Sequence, residues 1–83
     1  MSDLIVKLEA VKDEPTFVEF LLALAEDRKK DPDDGWQWDK IEDFLETAAA
    51  WAEDSKTGTK SYPLPNNSWK RCADIIFAGK IYE

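Results

Sequence analysis

Asp13-Glu14-Pro15-Thr16-Phe17-Val18-Glu19-Phe20-Leu21-Leu22-Ala23-Leu24-Ala25-Glu26-Asp27-Arg28-Lys29-Lys30 is the stretch on which the fold turns. Phe17, Phe20, Leu21, Leu24 and Arg28 recur at helical spacing, and Val18, Leu22 and Ala25 widen their face. A helix so broadly apolar is expected at the centre of the fold. Asp13 is a good N-cap, proline is tolerated in a first turn, and Glu14 suits the positive helix end. Thr16 with Glu19 also fits a capping box, so two starts stay open. Arg28, Lys29 and Lys30 suit the negative C-terminal end.

Downstream, Asp31-Pro32-Asp33-Asp34-Gly35 gathers turn formers into a break, and Trp36 and Trp38 follow it. A second helix is predicted over 39–54. Ile41, Phe44, Leu45, Ala48, Trp51 and Ala52 form its apolar stripe. Asp39, Glu42, Asp43, Glu46, Glu53 and Asp54 occupy the opposite side. Asp39–Asp43 and Glu42–Glu46 are like-charge pairs four apart, each costing about 0.2–0.5 kcal/mol. The break is short enough to predict these two helices as antiparallel neighbours.

Residues 56–67 read as a polar loop, with Tyr62-Pro63-Leu64-Pro65 extended because a residue before proline avoids helical geometry. Asn67 or Ser68 then caps a helix over 67–78. Its Trp69, Cys72, Ala73, Ile76 and Phe77 share one face, and Gly79 stands where a C-terminal glycine stop belongs. Ile81 and Tyr82 beyond it are free to pack back or add a short strand. Residues 3–11 fit a helix through Leu4, Leu8 and Val11 with Ser2 as cap. They also fit a strand through Leu4, Val6 and Leu8, and the helix is preferred. The expected fold is all-α: a small bundle of helices at about 14–30, 39–54 and 67–78, plus a short N-terminal helix at about 3–11, in one domain over 1–83.

Composition narrows the function. The 83 residues leave no room for a second core. The single cysteine, Cys72, allows no intrachain disulfide. With no export signal in Met1-Ser2-Asp3-Leu4, it suggests a reducing, cytoplasmic setting. No apolar run approaches the roughly 20 residues of a membrane span. Residues 26–54 hold eleven acids against four bases, which is the entire net charge of −7; the remainder balances at seven of each sign. Phosphate backbones and anionic membranes require the opposite field, so neither is an expected partner.

Among candidate sites, a helix–loop–helix calcium loop takes oxygen ligands at positions 1, 3, 5, 7, 9 and 12. Asp31, Asp33, Asp39 and Glu42 fall on four of these, with Gly35 and Gln37 on the others. Trp36 replaces the turning glycine at position 6, Gly35 offers no side-chain oxygen, and Lys29 and Lys30 precede the loop. An acidic turn leading into a helix explains the same letters better.

The acidic face of the second helix reads as a solvated surface whose early acids suit the helix dipole. Glu53 and Asp54 sit at the end where acids are unfavourable, and docking to a basic protein would account for them. Trp51 and Trp69 are expected in the core. Trp36 and Trp38 are either junction staples or exposed interface anchors. Cys72 reads as a small buried hydrophobe, since no histidine supplies a base. Tyr62-Pro63-Leu64-Pro65 reads as a stiff loop ahead of a peptide ligand. No glycine-rich phosphate loop, Cys/His metal spacing or nucleophile elbow occurs, so neither a cofactor nor catalysis is expected.

Phe17-Val18-Glu19-Phe20-Leu21, Leu24, Asp27, Trp36, Ile41, Phe44-Leu45, Trp51, Trp69, Ala73 and Tyr82-Glu83 resemble a family of small, acidic, tryptophan-containing bacterial proteins known only as a domain of unknown function. The resemblance spans roughly residues 3–83. It implies a compact helical cytoplasmic domain, favours a helix at 3–11 and implies no activity. Trp38 departs from that pattern, where a polar capping residue is usual.

The expected function is protein–protein interaction through Trp36, Trp38, Glu42, Asp43, Glu46 and Glu53, with a basic partner. An immunity- or antitoxin-like inhibitor is one concrete form. The competing reading is a calcium- or small-ligand-responsive domain. The chain is expected as a monomer or weak homo-oligomer.

Overall fold

The structure, a computed structural model, describes residues 3–32 and 35–82. It contains α1 (Asp3–Glu9), α2 (Glu14–Lys30), α3 (Ile41–Asp54) and α4 (Ser68–Ile81), with no strand among the described residues. The all-α expectation therefore holds. Ser2, the expected cap of α1, and Asp33 of the calcium reading lie outside the described residues.

Burial settles the N-terminal segment. Leu4, Leu8 and Val11 are buried, while Val6, which a strand would face inward, is 61% exposed. α2 begins at the earlier of its two possible starts. Asp13 Oδ1 accepts the Thr16 N–H at 3.1 Å, and Thr16 Oγ1 accepts the Asp13 N–H at 3.1 Å. The reciprocal box thus joins Asp13 to Thr16, not Thr16 to Glu19, and Pro15 occupies the first turn, where no helical N–H bond is lost.

The broadly apolar α2 is not the central helix. Phe20 and Leu24 are buried, but Val18, Leu21 and Leu22 are exposed. α4 is the hub instead: α1, α2 and α3 all pack on it, and α2 and α3 do not pack on each other. Small side chains explain this placement. Ala73, Ala78 and Gly79 are buried on α4 and let neighbouring helices come close. The expected antiparallel α2–α3 pair is therefore replaced by two helices leaning separately on a third.

Gly79 does not end its helix either. The helix runs on to Ile81, and the Tyr82 N–H still donates to the Ala78 carbonyl at 2.8 Å. Gly79 serves close approach, because a Cβ there would stand 2.9 Å from Phe44 Cε1. The left-handed glycines are Gly35 (φ +79) and Gly58 (φ +82), both in connections between helices.

The core gathers Leu4, Leu8 and Val11 from the N-terminal segment, Phe20 and Leu24 from α2, and Ala73 from α4. Phe20, fully buried, contributes about 1.5–3 kcal/mol of transfer free energy. Two core expectations fail. Trp69 remains 38% exposed although its ring lies 5.6 Å from Phe17, and Cys72 is exposed. Trp51 is half-buried, with its ring 4.9 Å from Tyr62. The buried residues of α4 include Asp74, Ala78 and Gly79, which an apolar-letter count overlooks.

The 55–67 connection is pinned at both ends. Thr59 and Tyr62 exchange backbone hydrogen bonds of 2.8 and 3.2 Å. Asn67 caps α4 by accepting the Lys70 N–H at 3.0 Å, and its amide donates to the Lys12 carbonyl at 2.9 Å. The connection holds no helix, as its turn formers and prolines led one to expect.

Candidate protein-binding surface

The link between α2 and α3 is organised by its two tryptophans. Trp36 Nε1–H donates to Asp27 Oδ2 at 2.8 Å, and Lys80 Nζ lies 3.2 Å from the same oxygen. Arg28 and Lys80 stand 5.4 and 5.6 Å from the Trp36 ring, and the Phe44 ring is 6.0 Å away. Trp36 thereby ties α2, α3 and α4 together, which favours the staple reading for this residue. The Gln37 N–H donates to the Lys80 carbonyl at 2.8 Å and holds the link against α4. α3 starts at Ile41, two residues later than Asp39, with Lys40 as an N-cap that offers no side-chain acceptor.

Because α2 and α3 do not touch, an apolar trough of about 390 Å³ separates them. Leu21, Leu24 and Ala25 form one wall, and Ile41 and Phe44 form the other. Trp36, Trp38, Asp39, Arg28 and Lys40 line the end where the link joins the helices. Ile41 is 73% exposed and Leu45, one turn on, 55%; Leu22 is 64% exposed. Arg28 Nη1 donates to the carbonyls of Pro32 (3.0 Å) and Trp38 (3.3 Å). No described carboxylate lies within ion-pair distance of Arg28 or Lys40.

Trp38 lies between this trough and a second hollow of about 360 Å³, which it shares with Glu46, Thr47, Asp54 and Tyr82. Its Nε1–H donates to the Tyr82 carbonyl at 3.1 Å. Tyr82 in turn donates its hydroxyl to Asp54 Oδ2 at 2.8 Å, and this bond raises the phenol pKa above the usual tyrosine value. On the ridge of α3, no described cation lies within ion-pair distance of Asp39, Glu42, Asp43 or Glu46. Glu53 pairs with Lys56 at 3.2 Å, away from Trp38's hollow. The structure therefore brings Trp38 and Glu46 to one hollow, uses Trp36 internally, and leaves Glu53 apart.

A family model, described as a family of unknown function (DUF7660), matches residues 13–83. The chain belongs to DUF7660. No curated protein and no solved structure matches it.

One cluster of this DUF7660 domain escaped the sequence reading. Asp74 is buried on α4, where Lys70 Nζ lies 2.6 Å from Oδ1 and the Tyr62 hydroxyl donates to Oδ2 at 2.5 Å. Burial and then the Asp74 bond raise the Tyr62 pKa. Arg71 covers the Trp51 and Tyr62 rings at 5.2 and 5.7 Å and donates to Ser55 Oγ and the Ala52 carbonyl at 3.0 Å each. The cluster locks the 55–67 connection onto α3 and α4. Its signal was present in Lys70 and Asp74, four apart on one helix face.

Two of the calcium residues of the DUF7660 chain stand at helix ends. Asp31 ends α2, and Glu42 lies in the first turn of α3. Among the described residues no three acids, histidines or cysteines converge as a metal site. No helix among them is long and apolar enough to cross a membrane.

Proposed function

We propose that this protein is an interaction module that docks a basic protein partner through the acidic ridge of α3 and the Trp38 junction. The observation that carries the reading is the set of carboxylates on α3, Glu42, Asp43 and Glu46, left without described cations while an uncovered apolar trough opens beside them. Several of the chain's own bases are engaged elsewhere: Lys7 with Glu19, Lys29 with Glu26, Lys70 with Asp74 and Lys80 with Asp27. A field of one sign next to apolar surface steers an oppositely charged partner and then holds it by burial. An inhibitor that covers a basic partner, in the manner of an immunity protein or antitoxin, is one form of such a module.

The test is affinity capture from the native host with the wild-type chain and a Glu42→Lys/Glu46→Lys variant side by side. A basic protein retained by the wild type, lost from the variant and released by added salt supports the proposal. A captured set indifferent to charge reversal and to salt rules it out.

A further inference from the structure

We infer that the trough between α2 and α3 receives one amphipathic α-helix of the partner, apolar face inward and C-terminal end toward Arg28 and Lys40. This inference rests on the protein-binding reading and names the element that is bound.

The trough lies between two helices that both rest on α4 and leave a neighbour's place empty between them. Leu21, Leu24, Ala25 and Arg28 share the α2 side that faces it, and Ile41 and Phe44 share the facing side of α3, as a rotation of about 100° per residue allows. Exposures of 38% at Leu21 and 73% at Ile41 leave that surface uncovered. From Leu21 to Arg28 the wall runs about 10 Å, the length of roughly two helical turns. An occupant with apolar residues at helical spacing fills such a trough and keeps its polar side in water.

Charge sets the flank and the polarity. Glu42 follows the lining residue Ile41 on the outer edge of α3, with Glu46 one turn further, so the occupant carries Lys or Arg along the edge that faces α3. The end at the link holds Arg28 and Lys40 against the single carboxylate Asp39, and neither cation is within ion-pair distance of a described carboxylate. The free carbonyls of a helix C-terminus carry partial negative charge and suit that end. A second copy of this chain is the wrong occupant, since each copy brings a net charge of −7.

The probe is a synthetic leucine–lysine peptide of about 15 residues with leucines at helical spacing, compared with a peptide of equal composition and strict leucine–lysine alternation. Binding to the full chain is followed by tryptophan emission and by peptide helicity. The helical-period peptide is expected to bind more tightly and to become helical on binding. Leu21→Asp and Ile41→Asp are each expected to weaken it about tenfold or more, because buried apolar area is lost. Both variants add negative charge, so capture by charge alone would strengthen. Ile41 is mostly exposed, so its variant keeps the core intact, which far-UV circular dichroism verifies.

Equal binding of the two peptides, with neither variant weaker, overturns the inference while the acidic-ridge function stands. No binding of either peptide at low ionic strength sinks both. A nitroxide on the peptide's C-terminus should broaden the Trp38 indole N–H more than the Leu21 methyls, and the reverse pattern overturns the stated polarity.

Discussion

Gly79 and Phe44 meet so closely that only a hydrogen fits between them: a Cβ on Gly79 would stand 3.0 Å from the Phe44 carbonyl oxygen and 3.1 Å from Cδ1. The ring can shift, but the carbonyl moves only with α3. Gly79→Ala gains about 1 kcal/mol of helix propensity and meets an overpacking cost of about 1–3 kcal/mol. Net destabilisation is expected by urea denaturation, and Gly79→Val should lose more. A Gly79→Ala protein more stable than the wild type would show that the two helices do not meet at this point.

Trp36→Phe keeps a ring between Arg28 and Lys80 but removes the donor to Asp27. Loss of about 1.5–3 kcal/mol is expected, the range for a hydrogen bond to a charged group. Trp36→Phe with Asp27→Asn should lose less than the sum of the singles, since both touch one bond. Denaturant midpoints of the four proteins of this cycle measure the coupling.

Above pH 10 the fold should weaken. Tyr62 and Tyr82 each donate a hydroxyl to a carboxylate, and both phenols are held above the ordinary tyrosine range. Their contribution is complete below the unfolded value of about 10 and disappears as pH rises through the raised folded values, because the folded state binds more protons there. Phenolate absorbance of native against urea-unfolded protein measures the offset. Tyr62→Phe should remove the part that comes from Tyr62.

The acid side is governed in part by Asp13, whose carboxylate is favoured first by the Thr16 hydroxyl and then by the Thr16 N–H. Its pKa is lowered, so the capping contribution is present above about pH 4 and is lost as pH falls through the folded value. Asp13→Asn retains an acceptor and has no proton to gain. A shallower decline of thermal stability between pH 4 and about 2 is expected for this variant.

Glu42 and Glu46 are like charges four residues apart on an exposed helix face. Glu46→Lys turns the repulsion into attraction and should stabilise the isolated protein by about 0.5 kcal/mol. The same change should slow association with a basic partner roughly tenfold at low salt. Melting temperature and association rate moving in opposite directions would mark the ridge as surface kept for binding. If both stay fixed, the ridge is ordinary solvated surface.

Local chemistry in the sequence foretold much of this fold. Asp13, Pro15 and Asn67 mark helix starts because capping depends on residues within three positions. Leu4, Leu8 and Val11 fitted a helix as Leu4, Val6 and Leu8 fitted a strand, and burial alone separates the two. Helix arrangement was hidden, because it depended on which helix lets others approach. Gly79 read as a terminator, since its partner Phe44 is thirty-five positions away. Trp69 and Cys72 were assigned inward for a related reason: an apolar letter does not show that the close approach lies around Ala73, Ala78 and Gly79. At the candidate surface, the ridge of α3 and the special position of Trp38 were legible. The trough was not, because it exists only through the separation of α2 from α3.

The dependence of three helices on α4 also orders events during synthesis. α1 and α2 can fold against each other as soon as both have left the ribosome. α3 then emerges with its apolar stripe bare, and it stays so until residues 68–81 follow. Nascent chains halted before that point should therefore carry a folded hairpin and an unprotected third helix, the stage at which chaperone capture or proteolysis finds its opening.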